Sequence, residues 1–185
     1  MQTSIATQTS YPKLKGISQR GNIMAEYGLY IVLATITLVS ILVYFSRNTT
    51  RSQAQTLATD LTSLVGNIKS NYSNDYASVT NAALSSGGFF NNLPSLTNNA
   101  GTVTTNTGGG TLVVTPGTIS TANDSVKYTI THVPDAACLP LVSSLTKGAG
   151  TVRVGTNDVK VAGGKPDPSK VQCSGDNNTL EFQYF

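Results

Sequence analysis

Residues 22–72 read NIMAEYGLYIVLATITLVSILVYFSRNTTRSQAQTLATDLTSLVGNIKSNY, and their two successive patterns decide the fold. From Tyr27 to Ser46 the chain is uncharged, and Leu, Ile and Val dominate. As a helix, Tyr27–Phe45 would be about 28 Å long at about 1.5 Å per residue. That matches a bilayer hydrocarbon core of roughly 30 Å, so a transmembrane helix is expected. From Ala54 the apolar residues recur at Ala54, Leu57, Ala58, Leu61, Leu64, Val65, Ile68 and Tyr72. This is the i, i+3, i+4, i+7 spacing of a helix with one buried stripe. Arg51, Gln53, Gln55, Asp60, Asn67 and Lys69 lie between them. No Pro interrupts residues 22–72. The sequence therefore predicts one continuous helix of about 50 residues, roughly 75 Å long. Its first half is apolar all round and its second half on one side, with the change near Arg47–Gln53.

Upstream, residues 1–21 are polar, carry Lys13, Lys15 and Arg20, and contain no acid. They lack the apolar core of a signal peptide. The apolar run itself ends in Phe45-Ser46-Arg47 with no small-residue cleavage site, so a retained helix is expected. Basic residues before the run place the N-terminal side in the cytoplasm and export the remainder.

Downstream, residues 73–110 are rich in Ser, Asn, Thr and Gly and read as a variable loop region with a short helix at Asp75–Ser85. Gly87-Gly88 and Gly108-Gly109-Gly110 are breakers. Short β-branched alternating runs follow at Thr111–Thr115, Val126–His132, Thr151–Val154, Val159–Ala162 and Thr179–Tyr184. They predict an antiparallel sheet. A helix over Ala136–Thr146 is expected to be confined to its first turn, or kinked, by Pro140. The fold class is α+β: a helix end packed on a small antiparallel sheet.

Composition excludes several functions. Of 185 residues, 11% are charged and 39% hydrophobic, which is not a disordered polyelectrolyte. Ser, Thr and Asn together make up about a third, against a globular norm richer in charge. The net charge of +3 resides in residues 1–21, and there is no basic run. A nucleic-acid partner is therefore not expected. One His and two Cys leave little for a metal site, and no cofactor is expected. His132 lies near Asp135, Ser143 and Ser144, but without a nucleophile elbow; it reads as a strand or surface histidine. Gly108–Gly110 has no following Lys and reads as a turn rather than a phosphate cradle. The sequons at Asn48, Asn71, Asn123 and Asn177 are expected by chance in so Asn- and Thr-rich a chain. Cys138 and Cys173 stand 35 positions apart on the exported side. An oxidising compartment allows them to pair; two buried thiols are the alternative.

Glu26 is the most informative residue. A carboxylate at a helix centre in a membrane costs about 2.5–3.5 kcal/mol on insertion scales, less near the interface. It lies five residues after Gly21. A cut between Gly21 and Asn22 would create an ammonium group at Asn22, four residues from Glu26, which could neutralise an amine there or on a neighbour. A short basic leader ending in Gly, Glu at the fifth position after the cut and about 20 apolar residues resemble the N-terminus of type IV prepilins. Asn22 stands where that family usually has an apolar or aromatic residue, and the helix lacks the family's frequent Pro. The leader of 21 residues resembles the type IVb branch. TDLTSLVGNIKSNY at Thr59–Tyr72, TNAALSSGGFFNNLP at Thr80–Pro94 and YTITHVPDAAC at Tyr128–Cys138 resemble the thin-pilus pilins of conjugative plasmids and enteric bacteria.

The resemblance implies a type IV pilin fold, with the apolar half of the helix protruding and the other half on the sheet. It implies a leader 1–21, an assembly helix 22–53 and a globular domain 54–185, the last comprising 54–72, 73–110 and 111–185. It implies cleavage between Gly21 and Asn22 by a prepilin peptidase, a role for Glu26 in assembly, and a Cys138–Cys173 disulfide fastening the last strand. The implied partners are other copies of the chain, the inner membrane, an assembly machinery with its ATPase, and an outer-membrane secretin. The implied product is an extracellular fibre for adhesion, aggregation or mating contact, with no enzyme activity. A minor pilin, a pseudopilin and a singly anchored receptor or enzyme are the rival expectations.

Overall fold

The computed structural model describes residues 23–72 and 75–185. They fall into two compact units, one ending at Leu42 and the other spanning Val43–Phe185. The long helix α1 occupies Ile23–Tyr72, 50 residues, as the uninterrupted periodicity predicts. In the first unit its large apolar side chains lie in the open: Leu29 is 60% exposed and Leu42 65%.

In the second unit α1 becomes one-sided. Ala54, Leu57, Ala58, Leu61, Leu64 and Ile68 are buried, with Val65 and Tyr72 packed beside them. This stripe joins a single core cluster with α2 (Asn81–Ser86), α3 (Asp135–Leu145) and one face of a sheet. The sheet has seven strands: β1 (Leu96–Asn99), β2 (Thr102–Thr105), β3 (Thr111–Thr118), β4 (Ala122–Val133), β5 (Thr151–Val154), β6 (Asn157–Lys160) and β7 (Asn178–Tyr184). Their spatial order is β1-β2-β3-β4-β7-β5-β6, with every adjacent pair antiparallel.

Register converts sequence alternation into two faces. Val114, Tyr128, Phe182 and Val152 line up across β3, β4, β7 and β5, and Leu112, Ile130, Leu180 and Val154 form the next buried row. One residue out of phase, Thr129, Glu181 and Arg153 form a polar row, continued on β6 by Asp158. The Arg153 Nε–Asp158 Oδ1 bridge is 2.8 Å long, and both side chains are about half exposed. A pair so placed is screened by solvent and adds little to stability.

Three expectations are corrected. The region 73–110 is not irregular throughout, because β1 and β2 form a hairpin in it. Its turn is Ala100-Gly101, with φ of 49° and 90°. Positive φ at both central residues is what a type I′ hairpin turn requires. The strands LTNN and TVTT bury only Leu96, Val103 and Thr105, so polar residues mask their period. The short helix is not Asp75–Ser85 but Asn81–Ser86. Thr80, extended at φ −139°, caps it by accepting a hydrogen bond from the Ala83 N–H, 3.2 Å away. A hydroxyl cap stops a helix from extending backwards. Finally, of the two outcomes expected at Pro140, confinement to the first turn is overturned, because α3 continues past Pro140 to Leu145. Pro140 denies the Ala136 carbonyl its helical donor. Burial of Ala137, Cys138, Leu141, Val142 and Leu145 outweighs that one bond.

Candidate functional site

The first candidate surface is the apolar part of α1. Its most apolar 18-residue window has a mean hydropathy of 2.3, and none of it is buried. Burying one such side chain gains about 1.5–3 kcal/mol relative to leaving it in water, so an exposed run of this length needs lipid or other apolar helices around it. The polar atoms within the run are compatible with either. Thr35 Oγ1 donates to the Val32 carbonyl at 2.8 Å, and Ser40 Oγ to the Ile36 carbonyl at 2.7 Å. Thr37 Oγ1 likewise donates to Leu33 and Ala34. The Thr35, Thr37 and Ser40 hydroxyls thus each find a partner in their own helix, as an apolar surrounding demands. Glu26 is the fourth residue of α1. Lys13, Lys15, Arg20, Gly21 and Asn22 lie outside the described residues.

Cys138 and Cys173 are joined by a disulfide with Cα atoms 6.1 Å apart. It ties α3 to the turn before β7. Asn178 closes the same corner: its Nδ2 donates to the Val133 carbonyl at 2.9 Å and its Oδ1 accepts from the Ser174 N–H at 2.9 Å. On β7, the Tyr184 hydroxyl donates to the Leu145 carbonyl at 2.7 Å. Burial pushes the Tyr184 phenol well above its ordinary pKa, and the Tyr128 phenol beside it further still.

Two anchoring residues lie outside the period of apolar positions. Asp60, one of the polar residues between the apolar positions of α1, is only 8% exposed. Its Oδ2 accepts from the Ser95 N–H at 2.9 Å and from the Ser95 hydroxyl. The signal was its position three residues after Leu57 and four before Leu64, on the flank of the buried stripe. Asn81 acts as a one-residue strand on β3. Its Nδ2 donates to the Leu112 carbonyl at 2.8 Å and its Oδ1 accepts from the Val114 N–H at 2.7 Å. At the β3–β4 loop, Asp124 accepts from the backbone N–H groups of Ile119, Ser120 and Thr121 at 2.8, 2.7 and 2.7 Å. Those bonds, that from Ile119 foremost, hold its carboxyl below the usual range for Asp.

The imagined hydrolytic group does not assemble. His132 sits at φ 52° in the irregular stretch of β4 between Ile130 and Val133. Its Nδ1 is 3.2 Å from Thr131 Oγ1, and Ser143 Oγ donates to the Pro140 carbonyl at 2.9 Å. No hydrogen bond among the described residues joins His132 to Ser143, Ser144 or Asp135. Gly108–Gly110 is the turn between β2 and β3, pressed against β4. A Cβ at Gly110 would stand 1.7 Å from the Thr131 carbonyl oxygen. Among the described residues no three His, Cys, Asp or Glu side chains cluster as metal ligands would.

Of the surface recesses, two adjoin α3. One, of about 230 Å³, is apolar and lies between α3 and the segment 159–171, with Leu139, Val142, Val159 and Val171 among its walls. The other, of about 780 Å³, is lined by polar and apolar groups alike. One wall is α1, with Arg47, Thr50, Arg51 and Gln55, and the other carries Asp135, Leu139 and Asp176.

A family model described as PilS N terminal matches residues 51–184. No curated protein matches the chain. Among solved structures, TcpA, a type IV pilin from Vibrio cholerae El Tor biotype, superposes with a TM-score of 0.54 at 14% identity, over 72% of this chain and 99% of that one. A type IVb pilin from Salmonella typhi matches with a TM-score of 0.47 at 24% identity, over 74% of this chain and 98% of that one. The first of these likenesses is one of fold: a long N-terminal helix on an antiparallel sheet. The chain belongs to the PilS N-terminal family, and its fold is that of a type IV pilin.

Proposed function

We propose that this chain is the major structural subunit of a type IVb pilus. The observation that carries the reading is the fully exposed apolar run of α1, joined in one helix to a stripe that is buried in a complete α+β core. Such a run has two solvents open to it. In the inner membrane it is dissolved in lipid, and in a fibre it packs against the same helix of other copies. Lipid and helix surfaces are similarly apolar, so packing and the Glu26–ammonium pairing would tip the balance, driven by an assembly ATPase. The fibre would leave through an outer-membrane secretin. The chain itself would be a substrate, cut by prepilin peptidase between Gly21 and Asn22, and would catalyse nothing. The polar sheet face and the Ser/Thr/Asn-rich loops would form the outer surface, suited to adhesion, aggregation or mating contact.

The experiment is intact mass measurement with N-terminal sequencing of fibres sheared from cells. Asn22 is expected as the first residue, in protein that forms the body of the fibre. A mature chain that still begins at Met1 would overturn the reading, and confinement to fibre tips would make it a minor pilin. Glu26→Ala is expected to be cut and inserted normally but to yield few fibres.

A further inference from the structure

The larger recess beside α1 is built where the apolar stripe of that helix runs out. Ala54, fully buried, begins the stripe. One and two turns earlier the same side of the helix presents Thr50 with Arg51, then Ser46 with Arg47. The opposing wall is held in place by covalent and hydrogen bonds. The Asp135 N–H donates to the Gly175 carbonyl at 2.9 Å, which sets Asp135, at the start of α3, beside Asp176. The Cys138–Cys173 disulfide and Asn178 fasten the same corner. The recess therefore carries two guanidinium groups on one wall and two carboxylates on the other. Among the described residues none of the four is in an ion pair or a side-chain hydrogen bond. Opposite charges that share a recess without bonding each other can serve a ligand carrying both signs.

Depth along the helix says where such a ligand lies. Val43, Tyr44 and Phe45 are 47%, 69% and 62% exposed and end the apolar run. Arg47 and Arg51 follow Phe45 by two and six residues, about 3 and 9 Å along the axis at about 1.5 Å per residue. A bilayer's headgroup layer is roughly 5–8 Å thick on each side of the hydrocarbon core. The two guanidiniums thus bracket that layer on the exported side when the run before them is immersed. We infer that the recess between Arg47, Arg51, Asp135 and Asp176 binds the headgroup of a zwitterionic phospholipid, its phosphodiester on the guanidiniums and its primary ammonium on the carboxylates. The inference rests on the proposed membrane-held stage of the subunit. Guanidinium matches a phosphate in two parallel bonds, and an ammonium supplies donors the carboxylates otherwise lack. A purely anionic headgroup would meet Asp135 and Asp176 with no compensating charge. About 780 Å³ is within the size range of small-molecule sites. In this reading the subunit is docked to lipid by its folded part as well as by its helix, and leaving the membrane for a fibre means giving up that headgroup.

The test uses the full mature chain in mixed micelles with equal phosphatidylethanolamine, phosphatidylcholine and phosphatidylglycerol, read by native mass spectrometry. One phosphatidylethanolamine per chain should be retained in preference to the other two lipids. Arg47→Gln and Arg51→Gln should each lower its retention about tenfold, the loss of one charge-assisted contact. Asp135→Asn with Asp176→Asn should keep lipid bound but erase the preference over phosphatidylglycerol. All four sites are exposed, and an intact disulfide by peptide mapping certifies the fold of each variant. Equal retention by the parent and the double Arg variant would overturn the proposal, as would displacement of the lipid by inorganic phosphate, which marks a free-anion site. A preference for phosphatidylglycerol untouched by the Asp changes would overturn it too. A parent chain that does not enter membranes at all would overturn the pilin reading, whereas one that enters and retains no lipid would overturn only the headgroup site.

Discussion

Replacing Asp60 by Ala should loosen the clasp between α1 and the β1 hairpin. The carboxylate sits in the core-side flank of α1 at 8% exposure, and Ser95, its partner, is 1% exposed. Both Ser95 bonds end on one oxygen, Oδ2. Removing it strands a buried N–H and a buried hydroxyl, each costing about 1–3 kcal/mol. Relief from desolvating a carboxylate offsets part of this, leaving a net loss of about 3 kcal/mol. At about 3–4 °C per kcal/mol for a domain of this size, Tm should fall by about 10 °C. Asp60→Asn keeps an oxygen that can face Ser95. Neutral bonds are about half as strong as charge-assisted ones, so it should lose only about 1–1.5 kcal/mol. The chain has eight Tyr and no Trp, so near-ultraviolet circular dichroism reports tertiary packing through Tyr76 and Tyr128, both buried. The long α1 helix would dominate the far-ultraviolet signal and hide the effect. Urea and thermal unfolding on that probe, with hydrogen exchange at the Ser95 and Leu96 amides, measure the loss. An Ala variant within about 0.5 kcal/mol of the parent, the size of an ordinary surface change, would refute the reasoning. So would an Asn variant as damaged as Ala.

Three further outcomes follow from the same structure. Changing Cys138 and Cys173 together to Ser opens a loop set by a sequence separation of 35, worth about 4 kcal/mol in the chain-entropy treatment; denaturant unfolding should show it, and peptide mapping of the parent without reductant should recover the linked pair. The Asp124 carboxyl, held below the ordinary Asp range by the backbone N–H groups it accepts from, contributes fully above the ordinary Asp value, and that contribution is lost as pH falls through the lower folded value; Asp124→Asn should flatten the acid limb of a stability–pH curve in that window. At the 108–110 turn, Gly110→Ala should cost about 2–4 kcal/mol because its Cβ meets the Thr131 carbonyl. Gly109→Ala, at φ +66° in open space, should cost only about 1–2 kcal/mol, and thermal unfolding of the pair separates collision from backbone strain.

Much of this architecture is legible without coordinates because it rests on period. Ala54, Leu57, Leu61, Leu64 and Ile68 repeat as a helix must, and each is buried. The strand Thr151–Val154 is read to the residue, since β-branched residues alternate there between clear turn signals. Where polar side chains take over buried positions, period fails. Leu96-Thr97-Asn98-Asn99 is a strand with one apolar residue, and Asp60 is a core residue because Ser95, 35 positions away, meets it. Pro140 misled in the other direction, since a local backbone penalty cannot reveal how much apolar surface α3 buries. Alternation also assigns a face to a strand but not a neighbour. That β7 lies between β4 and β5 follows from long-range pairing alone. At the N-terminus the order of Gly21, Asn22 and Glu26 carries the reading, and the folded domain adds nothing to it.

The place of β7 has a consequence for how the domain is born. β1 to β4 form one meander and β5–β6 a separate hairpin, and among the described residues β7 alone hydrogen-bonds to both. It is also the last strand in chain order. A polypeptide threaded through a membrane in order delivers both half-sheets before the piece that joins them. Until β7 arrives, Tyr128 and Ile130 lack the Phe182 and Leu180 neighbours that join them to Val152 and Val154, and the edges of β4 and β5 are open templates for other chains. A chain lacking β7 would leave two half-sheets with open facing edges where the complete chain has one continuous sheet.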